Sequence, residues 1–287
     1  MKLTYQKTLS QVVLNALSCI FLLFAVSVAT YAQKLPNVQM GNLCAPDNIK
    51  IDGKATEWGN KFQAYNRATN VFYTIANDND NLYLVMHTND PDELVKITNR
   101  GITLNINKTG KKNDEDALSI TYPIFETGHK PYIQFAGITA MPRYQREAMD
   151  RNRDSVSKVA NKKLHDNEKY IRTSGVSGVD TLLSIYNREG IMAAEAFDST
   201  MTYTYELAIS LKHLKLPANE NKPFAYHIIL PGITNDDFGF KMTTDADGHF
   251  VLSAAPGAAG AIPKKEHLDA THSTTDFWGE YVLAKKK

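Results

Sequence analysis

Cysteine is nearly absent from this chain of 287 residues, which has only Cys19 and Cys44. Cys19 lies in a leader expected to be removed, so one thiol, Cys44, remains and an intrachain disulfide is excluded. The local signatures of common catalysis are missing as well: there is no GxSxG elbow, HExxH pair, CxxC or glycine-rich phosphate loop. An excess of one charge is also lacking. Lys and Arg number 32 against 31 Asp and Glu, so no basic surface points to nucleic acid. Without cross-links the chain must be held by an ordinary apolar core, and about 255 residues suffice for one large domain. The chain is therefore read as non-catalytic.

The start of the chain reads as a targeting segment. Lys2 and Lys7 are followed by an apolar stretch from Val12 to Ala29, broken only by Asn15, Ser18 and Ser27. Thr30-Tyr31-Ala32 then puts small residues where signal peptidase inspects the chain. Residues 1–32 are expected to be a signal peptide and 33–287 a single domain, exported to the periplasm, the outer membrane or the exterior. The rival expectation is an uncleaved anchor, since the stretch approaches the ~20 residues that span a bilayer. Cys19 sits inside the apolar run rather than after it, which disfavours a lipoprotein. Loss of Lys2 and Lys7 takes the formal charge from +1 to about −1.

What is present is a series of short β signals. "NVFYTIANDNDNLYLVMHTND" holds two β-branched and aromatic runs around Asn77–Asn81, a hairpin with Asx residues at its turn. "GITLNINKTGKKNDEDALSITYPI" reads as a second hairpin across a charged loop. "TLLSIYNREGIMAAEAF", "MTYTYELAISL", "FAYHIILPGI" and "DFWGEYVLA" bring the total to roughly eight to ten strands. The predicted class is mainly β: a two-sheet antiparallel β-sandwich, jelly-roll-like, with an inserted helical segment. That insertion, about residues 142–170, begins at Pro142, has no glycine and is dense in charge. It is read as one or two helices lying on the sandwich, either as a solvated face held by i, i+4 charge pairs or as a docking surface for envelope proteins. "SAAPGAAGAIPKKEHLDATHST" is read as a long loop.

Acids stand out among possible ligating groups. Asp78 and Asp80 flank a hairpin tip, and Asp114, Glu115 and Asp116 precede a strand. Asp90 and Asp92 bracket Pro91, and two carboxylates on a stiff turn could hold calcium. His267 and His272 share a loop without a third ligand for zinc, and Cys44 has no catalytic signature around it. Trp58, in "IKIDGKATEWGN", is either a sugar-stacking platform or a core plug.

In order along the chain, "IKIDGKATEWGN", "NDNDNLYLVMHTNDPDE", "DEDALSI", "YTYELAISLKHL" and "FWGEYVLA" resemble the family 9 carbohydrate-binding modules and their DOMON-like relatives, as found in secreted Bacteroidetes proteins. The resemblance implies a β-sandwich, bound calcium and a polysaccharide or oligosaccharide partner. It makes Asp52, Gly53, Trp58 and Trp278 structural: a turn, a plug at one end of the sandwich and a residue of the closing strand. The family's two sugar-clamping tryptophans would lie in "NKTGKKNDED" and "KKEHLDATHSTTD", which contain none. A glycan would then meet relocated aromatics around the insertion, Tyr122, Tyr132 and Tyr144. The alternatives are a haem-binding DOMON-type domain, although Met86 and His87 are adjacent on a strand and point to opposite faces, and a structural partner in the cell envelope.

Overall fold

The computed structural model describes residues 34–285 except 127–129, 132, 134, 136–142, 216–221, 235–236, 238–239, 249 and 255–264. In chain order its elements are β1 (Ala64–Asn66), β2 (Val71–Asn77), β3 (Asn81–Thr88), α1 (Pro91–Arg100), β4 (Ile102–Asn107), β5 (Leu118–Ile124), α2 (Arg143–Arg151), α3 (Arg153–Asn167), β6 (Tyr170–Ser174), β7 (Leu182–Ser184), β8 (Ile191–Phe197), β9 (Tyr203–Ser210), α4 (Leu211–Leu214), β10 (Phe224–Leu230), β11 (Phe240–Thr244), β12 (Phe250–Ala254), α5 (Lys265–His272) and β13 (Thr275–Tyr281). One sheet runs β1-β2-β3-β9-β8 and the other β13-β10-β4-β5-β6-β7, with β11 and β12 as a separate hairpin. All strand pairs are antiparallel. The architecture is the expected two-sheet sandwich, with more and shorter strands than the eight to ten expected.

Period-two alternation builds the core. Phe224, Tyr226, Ile228 and Leu230 of β10 point inward and are fully buried, as are Tyr73 and Ile75 of β2 and Tyr205, Leu207 and Ile209 of β9. Tyr73 and Tyr226 join their hydroxyls across the two sheets at 2.9 Å. Gly279 of β13 makes room for this: a Cβ there would lie 2.1 Å from Cζ of Tyr226. The inserted helical segment is the pair α2 and α3. On α3, Ser157, Ala160 and Leu164 are buried, while Lys158 pairs with Asp154 and Lys162 with Asp166, each at 2.6 Å and i, i+4.

Two helices stand where turns or loops were expected. Asp90-Pro91-Asp92 opens α1 rather than forming a bare turn. Asp90 is the N-cap, accepting from the backbone N–H groups of Asp92 and Glu93, and Pro91 fills the first turn. Lys265–His272, inside the expected long loop, is helix α5.

The segment before β1 both completes and covers the first sheet. β1 is only three residues long, so much of the edge of β2 needs other partners. Gln39 supplies them to Ile75 through both ends of its side-chain amide, at 2.8 Å each, and Leu43 and Ala45 pair with the backbone of Asn77. The chain then crosses the sheet's outer face. Ala55 and Trp58 bury against Ala76, Tyr83, Val85 and Ala208, with Ile49, Ile51 and Phe62 packed around them. Trp58 therefore lies over the outer face of the five-stranded sheet rather than at an end of the sandwich. It is 7% exposed.

Candidate functional site

The outer face of the six-stranded sheet is not lined like the core. Its outward residues form a polar row, because Trp278 of β13 registers with His227 of β10, His227 with Asn105 of β4, Asn105 with Ser119 of β5 and Ser119 with Ser174 of β6. The Trp278 indole stacks on the His227 imidazole, centroids 4.1 Å apart and planes 15° from parallel. Phe277 and Gly279 on either side of Trp278 are buried while Trp278 is half-buried, so it faces outward. Since β13 is an edge strand, no further strand of that sheet among the described residues covers the indole face turned away from His227.

Two carboxylates flank the stack. Asp114, from the charged loop between β4 and β5, places both oxygens 3.1 Å from His227 Nδ1. Asp276 places Oδ1 3.0 Å from Nε2. Each is about half exposed at its side chain, whereas His227 is 8% exposed beneath them. The Asn105 amide donates to Asp114 at 2.7 Å, leaving its own Oδ1 buried without a hydrogen-bond donor. Lys112 of the same loop reaches Glu280 at 3.1 Å. Beside Glu280, Met40, Pro223, Tyr281 and Leu283 line an open groove of about 700 Å³.

The loop and the strand are held in place. Asn107 donates to the Asn113 and Glu115 carbonyls and accepts from Thr109, fixing the loop that carries Asp114. At the start of β13, the buried Lys96 ammonium of α1 contacts Glu93 at 2.7 Å and donates to Thr275 Oγ1 and the Ser273 carbonyl, next to Asp276. The arrangement offers one apolar aromatic face rimmed by hydrogen-bond acceptors, which suits a ligand with an apolar face and many hydroxyl donors.

The residues singled out in the sequence are placed otherwise. Tyr122 is 1% exposed in the core and gives its hydroxyl to Glu168, so it cannot act as a surface platform. Tyr144 is 67% exposed on α2, and Tyr132 lies outside the described residues. Trp278 lies on the closing strand, β13, with its indole facing outward. Asp90 caps α1 with one oxygen and accepts from Asn70 with the other. Asp92 contacts His267 Nδ1 at 2.7 Å, though burial still pushes its carboxyl upward against that partner's pull. The Asp90 and Asp92 carboxylates thus have protein partners, and among the described residues no group of three His, Cys, Asp or Glu is placed to hold a metal ion. Met86 lies in the core and His87 on the outer face, against Phe62. His272 contacts the Leu268 carbonyl, and Cys44 is half-buried beside β2.

Asp52 and Gly53 lead to a buried acid that the sequence reading passed over. Glu206 of β9 accepts from the Asp52 and Gly53 N–H groups at 3.0 Å and from the Trp58 indole at 3.2 Å. Burial pushes its carboxyl up to about 7, against the opposing pull of those N–H donors. Gly53, at φ +76°, lies where a Cβ would meet the Glu195 backbone at 2.5 Å, which explains the glycine at this turn.

No protein-family model matches the chain, and none of the curated proteins matches it. Among solved structures, the chain is similar to a family 9 carbohydrate-binding module from Caldicellulosiruptor kristjanssonii in complex with glucose. The identity is 10%, the alignment covers 86% of this chain and 96% of that one, and the TM-score is 0.34.

Proposed function

We propose that this protein is an exported, non-catalytic carbohydrate-binding protein whose ligand lies across Trp278 on the outer face of the six-stranded sheet. The observation that carries this reading is the outward Trp278 indole, backed by His227 and flanked by Asp114 and Asp276. A pyranose has an apolar C–H face that packs on an indole and equatorial hydroxyls that donate to carboxylates at the ring's rim. The basic n-region, apolar run and small residues of 1–32 support export.

The test is a glycan array probed with the mature protein and with Trp278→Ala. The expected result is binding to a restricted set of glycans by the former and at least about tenfold weaker binding by the variant, a loss of ~1.4 kcal/mol. Equal binding by both would remove Trp278 from the site, and no binding by either would remove the function.

A further inference from the structure

A second polar cluster lies inside the sandwich, away from the outer face. Glu195 of β8 faces inward and is 6% exposed. Glu168, which follows the last residue of α3 and caps that helix, is 8% exposed, and the two carboxyls are within hydrogen-bonding reach of each other. Three tyrosines surround them. Tyr122 of β5 donates to Glu168 Oε2 at 3.1 Å, and Tyr203 of β9 donates to Glu195 Oε2. Tyr205, fully buried with its ring 5.9 Å from that of Tyr122, has an unpartnered hydroxyl. Glu195 Oε1 also meets no N–H or O–H donor.

Two carboxylates this close in a buried site cannot both be ionised without strong repulsion. Among the described residues, His165 and Lys169 act on the pair from the Glu168 side, and Lys169 gives its ammonium to the His165 carbonyl at the surface. Among the described residues, no lysine or arginine is among the groups acting on Glu195. A proton held by one carboxyl supplies the missing donor and leaves a single charge for the phenols to solvate.

We propose that Glu168 and Glu195 share one proton and thereby latch the C-terminal end of the inserted helices to β8, so that loss of the proton in alkali releases that end. The cluster's chemistry agrees. Burial, then Glu168, push the Glu195 carboxyl far above the ordinary carboxylate range, and burial also raises Glu168. Burial and Glu195 keep Tyr203 and Tyr122 protonated as donors. Both carboxyls bind protons more tightly in the folded chain than in the unfolded one. The stability they confer is complete in acid and is lost as pH rises through the folded values. The middle of α3 has a separate attachment that carries no charge. Asn161 donates to the Phe197 carbonyl at 2.8 Å and accepts from its N–H at 2.7 Å, which makes this clasp the pivot.

Amide hydrogen exchange across residues 153–168, followed from mildly acidic to alkaline pH and corrected for chemical exchange, tests the latch. In the wild type, protection of this segment should fall by about tenfold per pH unit once the proton leaves, while β9 stays protected. In Glu195→Gln the amide replaces the proton as donor to Glu168, and protection should hold throughout. Flat protection in the wild type, or an equal loss in Glu195→Gln, would overturn the proposal. If that variant does not fold, Glu168→Gln serves the same comparison. Infrared spectroscopy at neutral pH should also show a buried protonated carboxyl band that persists in Glu206→Gln and is lost in Glu195→Gln, and a band lost only in Glu206→Gln would overturn the shared proton.

Discussion

The two tryptophans occupy matching positions on opposite sides of the molecule, each over the outer face of a sheet and each against a polar partner. Trp58 donates its indole N–H to Glu206, and the segment before β1 folds over it until it is buried. Trp278 stacks on His227 and is half-buried, and among the described residues no further strand lies beyond it at that edge of the sheet. The polar neighbours differ accordingly. Around Trp58 donors and acceptor are matched: Asp52, Gly53 and Trp58 all give N–H groups to one carboxylate. Around Trp278 acceptors stand at the surface, with the Asp114 and Asp276 side chains about half exposed. A closed set of hydrogen bonds stabilises a fold, whereas surface acceptors beside a half-buried, outward-facing ring suit a partner that brings donors.

The comparison is broken most severely by truncating each ring. Trp58→Ala removes a buried indole and strands part of Glu206, so urea melts should show a loss of about 3–5 kcal/mol. Trp278→Ala should cost less than about 1 kcal/mol in the same melts, since its ring is half-buried at a sheet edge. Comparable losses would mean that the two rings have the same role. A smaller effect separates the closed site by pH. The Glu206 carboxyl is pushed to about 7 from 4.5, so the folded chain holds this proton more tightly than the unfolded one. The stability it confers is complete below pH 4.5 and fades as pH rises through about 7, by up to about 3 kcal/mol. Denaturant midpoints measured across that range should fall with pH, and less so in Glu206→Gln, whose side chain does not ionise.

The sandwich was legible because its strands alternate and its turns carry their own chemistry. Asp78 accepts from the Asp80 and Asn81 N–H groups, the hairpin turn expected from "NDNDN". Helix α1 carried the standard start signals, an aspartate cap, proline and a first turn of acids. They were masked because two acids around a proline also fit a cation-holding turn. Within the expected loop, Lys265–His272 has neither glycine nor proline, but the small residues before it obscured that. Trp278 could have been found by counting in twos from Phe277 and Tyr281, which point inward. Trp58 is buried against Ala76, Tyr83, Val85 and Ala208 of strands that follow it in the chain, and no local pattern around Trp58 records that pairing. The Glu168–Glu195 contact joins residues far apart in sequence and was likewise out of reach.

The most direct test of the account uses the two rings as separate reporters. Trp58→Phe leaves Trp278 as the sole tryptophan, and Trp278→Phe leaves Trp58. Each variant is titrated with a glycan that the wild type binds while its tryptophan emission is followed. The account predicts a saturable change in emission from Trp278 alone, with Trp58 silent. A saturable change from Trp58 with Trp278 silent would contradict it.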